Sequence, residues 1–258
     1  MKVIILAGGK GTRLGERASS IPKPMLFIGN NPIIWHIMKI YSYYGFNEFI
    51  ICLGYLGNVI KDYFYHYNIL NHNFSIDLKT REISIHDLNQ ESNWKVTLID
   101  TGLETLKGGR IKRIERYLES ETNMLTYGDG LSDINIPELL KFHERKGKII
   151  TITGVHPPSR FGEIIEKENK LVFFTEKPQT SASLINGGFM VFNKEMLDYL
   201  TEDENCDFEH GPLEKLAEDN QIAIYKHSGN WECIDTERDY QYLNKLWNEK
   251  RAFWQIWK

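Results

Sequence analysis

The chain has 258 residues, enough for one large α/β domain, and 41% of them are hydrophobic, which can supply a substantial core. The formal net charge of -4 argues against a nucleic-acid-binding surface, and no apolar run is long enough to cross a membrane or serve as a signal peptide. The three cysteines are widely separated, so they predict neither a disulfide framework nor a zinc site and indicate a reducing cytoplasm.

The first predicted element is a buried parallel strand over residues 2–6, and a glycine-rich loop at 7–13 follows it directly. Glycines allow backbone N–H groups to converge on an anion. Arg13 and Lys23 bring positive charge to the same region. This arrangement is typical of phosphate binding.

Two known phosphate motifs do not match this loop. No Gly-Lys-Ser/Thr follows at the spacing of a Walker loop. Gly9 and Gly11 supply the first two glycines of the dinucleotide fingerprint, but Leu14 stands in place of the third. An ordinary glycine-rich turn is the remaining alternative, and the nearby basic residues disfavour it.

The next elements alternate between helix and strand. Asn31 and Pro32 predict a helix start that leads to a helix ending at Gly45, followed by a strand at 49–53 and a helix at 59–67. This order predicts a parallel sheet with helices on both faces. Residues 68–95 interrupt the alternation with two short amphipathic runs, which predict a β-hairpin outside the main sheet.

A strand at 96–99 leads to a second glycine-rich basic stretch at 106–110, followed by a predicted helix at 111–118. Such a helix start suits an anion or a nucleotide base, and a plain helix-start turn is the alternative. A strand at 124–127 then delivers Asp129 between two glycines. The second half, 151–258, has more turns and strands. We predict one compact domain with a nucleotide-binding half at 1–150 and a sugar-phosphate-binding half at 151–258.

Two carboxylates stand at the ends of predicted strands: Asp129 follows the strand at 124–127 after one glycine, and Asp235 directly follows a predicted strand at 231–234. Ligands of open parallel sheets bind beyond the carboxyl ends of the strands, so both are expected near the glycine-rich loop. Mg²⁺ is commonly held by one or two carboxylates and substrate phosphates, which makes this pair a candidate magnesium site. On the residues alone, Asp129 could equally be a turn residue, and Asp235 could cap a helix.

Several motifs resemble one family along almost the whole chain. Residues 6–14 with Lys23-Pro24 are similar to the signature of the sugar-1-phosphate nucleotidylyltransferases. The following segments resemble its glucose-1-phosphate cytidylyltransferase branch: 32–39, 126–130, 160–162, 176–178, 185–189 and 235–236. The resemblance implies a Rossmann-like, mixed and mostly parallel sheet with helices on both faces. It also implies Mg²⁺-dependent transfer of CMP from CTP to glucose 1-phosphate, in a cytoplasmic, closed homo-oligomer that is a hexamer.

The resemblance also implies roles for individual residues. Nucleotide and phosphate binding would fall to Leu6, Ala7, Gly8, Gly9, Lys10, Gly11, Thr12 and Arg13, with Lys23 on the β- and γ-phosphates. Thr105 and Arg110 would lie near the cytosine, and Gly128 near the substrate. Asp129 and Asp235 would hold Mg²⁺, and the catalytic set would be Arg13, Lys23 and Asp129. The sugar phosphate would be bound by Glu176, Lys177, Asn186 and Gly187.

Other functions remain open at this stage. The same reaction could use UTP, dTTP or GTP, or the chain could be a non-catalytic ligand sensor of this fold. A dehydrogenase is disfavoured by the incomplete dinucleotide fingerprint. The C-terminal aromatic residues Trp247, Phe253, Trp254 and Trp257 suggest a subunit interface, and packing back onto the same chain is the alternative.

Overall fold

A computed structural model describes residues 1–14, 20–86, 93–157, 163–167, 170–175 and 184–257. The strands in these residues are β1 (Val3–Leu6), β2 (Phe27–Ile28), β3 (Asn31–Pro32), β4 (Glu48–Leu53), β5 (Phe74–Ile76), β6 (Ile83–Ile85), β7 (Lys95–Asp100), β8 (Thr122–Tyr127), β9 (Gly130–Ser132), β10 (Ile150–Val155), β11 (Glu163–Lys167), β12 (Lys170–Thr175), β13 (Ile185–Asn193), β14 (Ile222–His227) and β15 (Trp231–Cys233).

The α-helices are α1 (Ile33–Tyr43), α2 (Gly57–Tyr65), α3 (Tyr67–Asn71), α4 (Lys107–Arg113), α5 (Ile136–Lys146), α6 (Glu214–Glu218) and α7 (Glu237–Asn248). Short 3-10 helices occur at Thr12–Leu14, Lys23–Met25, Glu115–Tyr117 and Lys194–Tyr199, and a kinked turn occurs at Glu209–Leu213. Within the described ranges, no helix combines the length and the apolar character needed to span a bilayer.

Seven strands form the central sheet in the order β14-β10-β13-β8-β1-β4-β7. β13 runs antiparallel to both of its neighbours, and every other pairing in the sheet is parallel. The predicted mixed, mostly parallel sheet is therefore confirmed. Because β13 is antiparallel to β10, Asn186 at the start of β13 lies at the same end of the sheet as the carboxyl end of β10.

β1 leads into the glycine-rich loop, and both of its faces are buried. Val3 and Ile5 belong to the core on one face of the sheet, which also contains α1 and α7 side chains. Ile4 and Leu6 belong to the core on the other face, with side chains from α4. Because helices cover both faces, a run of four aliphatic residues is stable in a parallel strand here.

Two helix starts differ from the sequence prediction. α1 begins at Ile33 instead of Pro32, because Asn31-Pro32 pairs with β2, and the Asn31 side chain caps nothing there. α4 begins at Lys107, so the glycines of the second glycine-rich stretch and Arg110 lie inside the helix, not ahead of it. Residues 203–206 cover the glycine face of α4 through backbone contacts, so tertiary packing accommodates the earlier start of this helix.

The predicted hairpin outside the main sheet is confirmed as the antiparallel pair β5–β6. Its apolar side chains at 74, 76, 78 and 83 are exposed, Ile85 is half-buried, and none of them belongs to either core.

The aromatic C-terminal tail packs onto its own chain. Trp254 is fully buried, and its ring lies edge-on to His36 on α1, with 6.1 Å between ring centroids. Trp247 also packs edge-on against His36, at 4.7 Å. The alternative that the tail covers its own subunit is therefore correct for these residues.

Candidate active site

A cavity of about 510 Å³ opens at the carboxyl ends of β1 and β8. It brings together residues that are far apart in the sequence. The predicted site residues that line it are Leu6, Ala7, Gly8, Gly9, Gly11, Thr12, Lys23, Thr105, Arg110, Gly128, Asp129, Asn186 and Asp235. The side chain of Arg13 and the whole of Glu176 and Lys177 lie outside the described residues.

The glycine-rich loop is held by its carbonyl groups. Gly8 O accepts hydrogen bonds from the backbone N of Tyr55 and from the Arg110 guanidinium, each at 3.1 Å. Among the described residues, nothing accepts a hydrogen bond from the backbone N–H groups of residues 9–11. As far as the described residues go, the loop therefore leaves these donors available to an anion, while the Gly8 carbonyl oxygen is bonded to the protein.

Gly8 has no room for a side chain. A Cβ atom at this position would lie 2.3 Å from Arg110 Nη1, and the guanidinium is itself buried. The close approach of Arg110 is the reason for glycine at this position. Backbone conformation is not the reason, since the φ of Gly8 is not positive.

The Arg110 side chain extends from α4, and its guanidinium donates hydrogen bonds to oxygen atoms of the same chain. One terminal nitrogen donates to Leu53 O at 2.9 Å, Thr101 Oγ1 at 2.9 Å and Gly102 O at 2.7 Å. The other donates to Gly8 O and, at 3.3 Å, to Leu103 O. Burial lowers the pKa of this guanidinium. The arginine thus joins the glycine-rich loop to the ends of β4 and β7.

Two other predicted nucleotide-side residues also contact the protein itself. Thr105 is buried, and its hydroxyl accepts a hydrogen bond from Arg113 at 2.7 Å. Lys10 is exposed, does not line the cavity and pairs with Glu104 at 2.8 Å.

Lys23 lies between the two predicted metal-binding carboxylates. Its Nζ is 2.9 Å from Asp129 Oδ2 and 2.6 Å from Asp235 Oδ1. Burial alone would lower the pKa of Lys23, but the charge of Asp129 and hydrogen bonds to both carboxylates raise it overall. The ammonium group therefore stays charged, and only 11% of the side chain is exposed.

The route by which Asp235 reaches this position differs from the prediction. β15 is not part of the central sheet but pairs with β9. The backbone N of Ile234 donates to Asp129 O at 3.0 Å, which places Asp235 beside Asp129. The start of α7 is capped by Thr236 and Asp239, so the helix-cap interpretation of Asp235 is wrong.

These two carboxylates fit a divalent cation. They already converge on one positive group, the Lys23 ammonium, and their oxygens are the ligand type that Mg²⁺ prefers. The described residues contain no group of three or more acidic, His or Cys side chains placed to bind a metal ion. A cation at this position would thus take its remaining ligands from substrate phosphates and water.

Pro24, Leu106, Lys107 and Tyr127 also line the cavity and lie in segments that the sequence motifs single out, but without a role of their own. The motifs give no signal for three further lining residues, Asp207, Trp231 and Cys233. Trp231 donates from its indole nitrogen to Gly187 O at 2.8 Å and so supports the predicted sugar-side segment. Tyr127 directly precedes Gly128-Asp129 and lies within the resembling segment 126–130, at the end of an apolar strand.

Ser132, Asp133 and His227 also lie together but do not form a catalytic triad. Both the serine oxygen, at 3.1 Å, and the aspartate oxygen, at 2.9 Å, contact the same ring nitrogen, Nε2 of His227. A triad needs both ring nitrogens, one for the nucleophile and one for the carboxylate. Burial raises the pKa of Asp133, but hydrogen bonds from His227 and Asn230 lower it overall. The group holds the turn that precedes β15.

A sequence profile of the nucleotidyl transferase family matches residues 2–249. The chain is 45% identical over 257 residues to a Bacillus subtilis (strain 168) protein named "Probable glucose-1-phosphate cytidylyltransferase". It is 41% identical over 259 residues to the glucose-1-phosphate cytidylyltransferase of Salmonella typhimurium, and both alignments cover 100% of each chain.

The fold matches solved structures at lower sequence identity. HddC from Yersinia pseudotuberculosis superposes with a TM-score of 0.69 at 21% identity, covering 95% of this chain and 99% of that chain. A UDP-glucose pyrophosphorylase complexed with UDP-glucose matches with a TM-score of 0.67 at 19% identity, covering 97% of this chain and 99% of that chain. These similarities establish the fold.

Proposed function

The chain belongs to the nucleotidyl transferase family, and we propose that it transfers CMP from CTP to glucose 1-phosphate, giving CDP-glucose and pyrophosphate. Identity of 41–45% over the full length with proteins named as glucose-1-phosphate cytidylyltransferases supports this substrate pair. The observation that carries the proposal is one cavity in which a glycine-rich loop, Lys23 and two carboxylates meet.

The reaction joins two anions, so its main difficulty is electrostatic. An oxygen of the sugar phosphate forms a bond to the α-phosphorus, and the bond from that phosphorus to the oxygen bridging to the β-phosphorus breaks. The sugar phosphate is already an anion, since the second pKa of a phosphate monoester is about 6. No general base is required, and catalysis consists of positioning and charge neutralisation.

The cavity supplies both requirements. The free N–H groups of the glycine-rich loop bind the phosphates of the nucleotide, and Lys23 neutralises the charge of the leaving pyrophosphate. Arg13, which adjoins this loop in the sequence, is proposed as a second cation. Arg110 fixes the loop by holding the Gly8 carbonyl.

We propose Asp129 and Asp235 as the protein ligands of Mg²⁺. The two carboxylates would hold the cation through their oxygens, and Lys23 would then be available for contact with phosphate. When bound, Mg²⁺ neutralises phosphate charge on the nucleotide.

The sugar phosphate is proposed to bind on the side of the cavity formed by the start of β13. Asn186 lines the cavity there, and Trp231 supports the neighbouring Gly187. Glu176 and Lys177 are assigned to the same side by their resemblance to the family motif. This assignment gives residues 1–150 the nucleotide and residues 151–258 the sugar phosphate within one domain.

The substrate pair is tested by measuring pyrophosphate release with CTP, UTP, dTTP and GTP against several sugar 1-phosphates in the presence of Mg²⁺. We expect the highest kcat/KM with CTP and glucose 1-phosphate, and loss of activity when EDTA removes the metal. Comparable turnover with UTP or dTTP and weak turnover with CTP would contradict the choice of nucleotide.

Two lysines are expected to separate the substrates kinetically. Each forms a charge-assisted contact worth about 1.5–3 kcal/mol, and about 1.4 kcal/mol corresponds to tenfold in affinity. Lys177→Ala should therefore raise the KM for glucose 1-phosphate about tenfold or more and change the KM for CTP much less. Lys23→Ala should do the reverse, and both should lower kcat.

Initial rates with each substrate varied in turn measure these constants. Lys141→Ala is a suitable control, because Lys141 is an exposed residue on α5 and does not line the cavity. A larger change in the CTP constant than in the sugar-phosphate constant for Lys177→Ala would refute the division into two halves.

We also propose a cytoplasmic homo-oligomer, in which the β5–β6 hairpin contacts a second copy of the chain. Leu78 at the hairpin turn is 84% exposed, and the apolar side chains at 74, 76 and 83 are also exposed. A groove of about 820 Å³ beside the edge strand β7 is lined by aromatic and aliphatic side chains together with Asn58, Lys61, Asp62 and Asn68, and it is a suitable receptor. The three free cysteines agree with a reducing compartment.

Light scattering at micromolar concentration should give a mass several times that of one chain, and six times if the family resemblance extends to assembly. Leu78→Asp should reduce this mass, because a charge would be buried at the interface. Asp77→Asn at the same turn is a control for altered charge without loss of apolar contact. A monomeric wild-type protein would refute the proposal.

A further inference from the structure

A hydrogen-bonded relay lies in and behind the wall of the cavity. The Tyr127 hydroxyl donates to Glu209 Oε1 at 2.6 Å, and Asn186 Nδ2 donates to the same hydroxyl at 3.1 Å. Asn186 Oδ1 in turn accepts from the backbone N of Gly188 at 2.9 Å. Tyr127 and Asn186 line the cavity, whereas Glu209 is not among the lining residues.

The donors and acceptors of this relay can be arranged in only one way. An ionised carboxylate can only accept hydrogen bonds, so the Tyr127 hydroxyl must donate to Glu209. Burial and the charge of Glu209 raise the pKa of Tyr127, so the phenol keeps its proton. The phenol oxygen then accepts from Asn186, which fixes the orientation of the Asn186 amide.

One N–H of the fixed Asn186 amide takes no part in this relay. Asn186 uses its oxygen for Gly188 and one N–H for Tyr127, and its second N–H has no acceptor among the described residues. Because Asn186 lines the cavity, this N–H is available to an oxygen of a bound ligand.

Glu209 is held firmly in its position. Its Oε1 also forms an ion pair with Lys107 of α4, and its backbone N donates to Asp207 Oδ1 at 3.1 Å. The preceding Phe208 is fully buried, which anchors the segment in the core. Glu209 Oε2 is shielded from solvent and has no hydrogen-bond partner among the described residues, an arrangement that costs stability.

We infer that Glu209 is a positioning residue, which acts through Tyr127 to aim the Asn186 amide at the sugar phosphate. The inference rests on the proposed function, since it takes the ligand at Asn186 to be the sugar phosphate. It assigns a role to the stretch 205–210, which the sequence motifs leave without one.

The test compares Glu209→Gln, Tyr127→Phe and the double variant with the wild type. Gln can donate to the phenol oxygen, which allows the hydroxyl and then the Asn186 amide to reverse, and Phe removes the hydroxyl altogether. We expect each single variant to raise the KM for glucose 1-phosphate about fivefold, with the KM for CTP changed less than about twofold. Glu218→Gln is the matched control, since it makes the same charge change on exposed α6.

The double variant separates a relay from two independent roles. If Glu209 acts through the hydroxyl, the double variant should have the same KM as Tyr127→Phe, because no hydroxyl remains to be oriented. Multiplied effects of the two substitutions, or equal changes in the constants of both substrates, would overturn the inference. Tyr127→Phe keeps the Glu209–Lys107 ion pair, so it remains informative if Glu209→Gln does not fold.

The outcomes also separate this inference from the proposed function. A wild-type enzyme that is inactive with CTP and glucose 1-phosphate refutes the proposed function. The variants are then compared on the substrate pair that the wild type turns over fastest, with calorimetric titration of the sugar phosphate as a second readout. An active wild type with unchanged constants in both single variants refutes the relay alone.

Discussion

Asp129→Asn and Asp235→Asn should each lower kcat/KM about a hundredfold while the protein remains folded. Asparagine has the same shape as aspartate but lacks its charge, so each variant leaves a single carboxylate for the cation. Charge on the reacting phosphates would then be poorly neutralised. Lys23 keeps one ionic partner in either variant, which is why we expect the fold to survive.

Steady-state rates at several Mg²⁺ concentrations, with thermal melting of each variant, measure the effect. Asp198→Asn is the control, because that residue is exposed in the 3-10 helix at Lys194–Tyr199 and does not line the cavity. A variant that retains more than about a tenth of the wild-type rate would count against direct binding of the metal by that residue.

Acidification from pH 7 to pH 5 is expected to cost about 2 kcal/mol of stability through His36 alone. The ring is completely buried, Nε2–H donates to Ile28 O at 3.0 Å, and Nδ1 accepts from the Trp254 indole N–H at 3.3 Å. Burial lowers the pKa of His36 to about 4. A proton on Nδ1 would face the Trp254 N–H, so the folded protein keeps the ring neutral.

The sign follows from the unfolded state, in which the pKa of histidine is about 6.5. Between pH 6.5 and 4, His36 is protonated in the unfolded chain but stays neutral in the folded protein. The stability of the folded protein therefore falls as the pH falls through this window. Burial also lowers the pKa of His143, which adds a contribution of the same sign.

Urea unfolding at pH 7 and pH 5 measures the difference. His36→Gln removes the titrating group and should reduce the pH dependence by about 2 kcal/mol, although it also lowers stability at pH 7. His66→Gln, at an exposed position directly after α2, should keep the wild-type difference in stability between pH 7 and pH 5. An unchanged pH dependence in His36→Gln would contradict the assignment.

The sequence was sufficient to predict the central features because their signals are local. An aliphatic run followed by glycines has few alternatives to a buried strand and an anion-binding loop. Asp129 follows β8 after one glycine, so its position at the carboxyl end of the sheet follows from chain order. The hairpin was also predictable, since two short alternating segments with a polar turn between them have a period of two.

The remaining features depend on contacts that no local pattern encodes. The reversal of β13 depends on its pairing with β8 and β10, which are distant in the chain. Arg110 was assigned to the base from its motif, whereas its guanidinium is surrounded by carbonyl oxygens that only the folded loops bring together. Glu209 carries no motif signal either, because its partner Tyr127 is 82 residues away.

The charge cluster of the cavity affects how the protein reaches its native state. Lys23 is separated by 106 residues from Asp129 and by 212 from Asp235. Closing loops of this length lowers the entropy of the chain before the ion pair contributes any stabilisation. Such pairs therefore form late in folding. A collapsed intermediate with its helices in place would still hold an unpaired lysine and two repelling carboxylates, and only completion of the whole fold neutralises them.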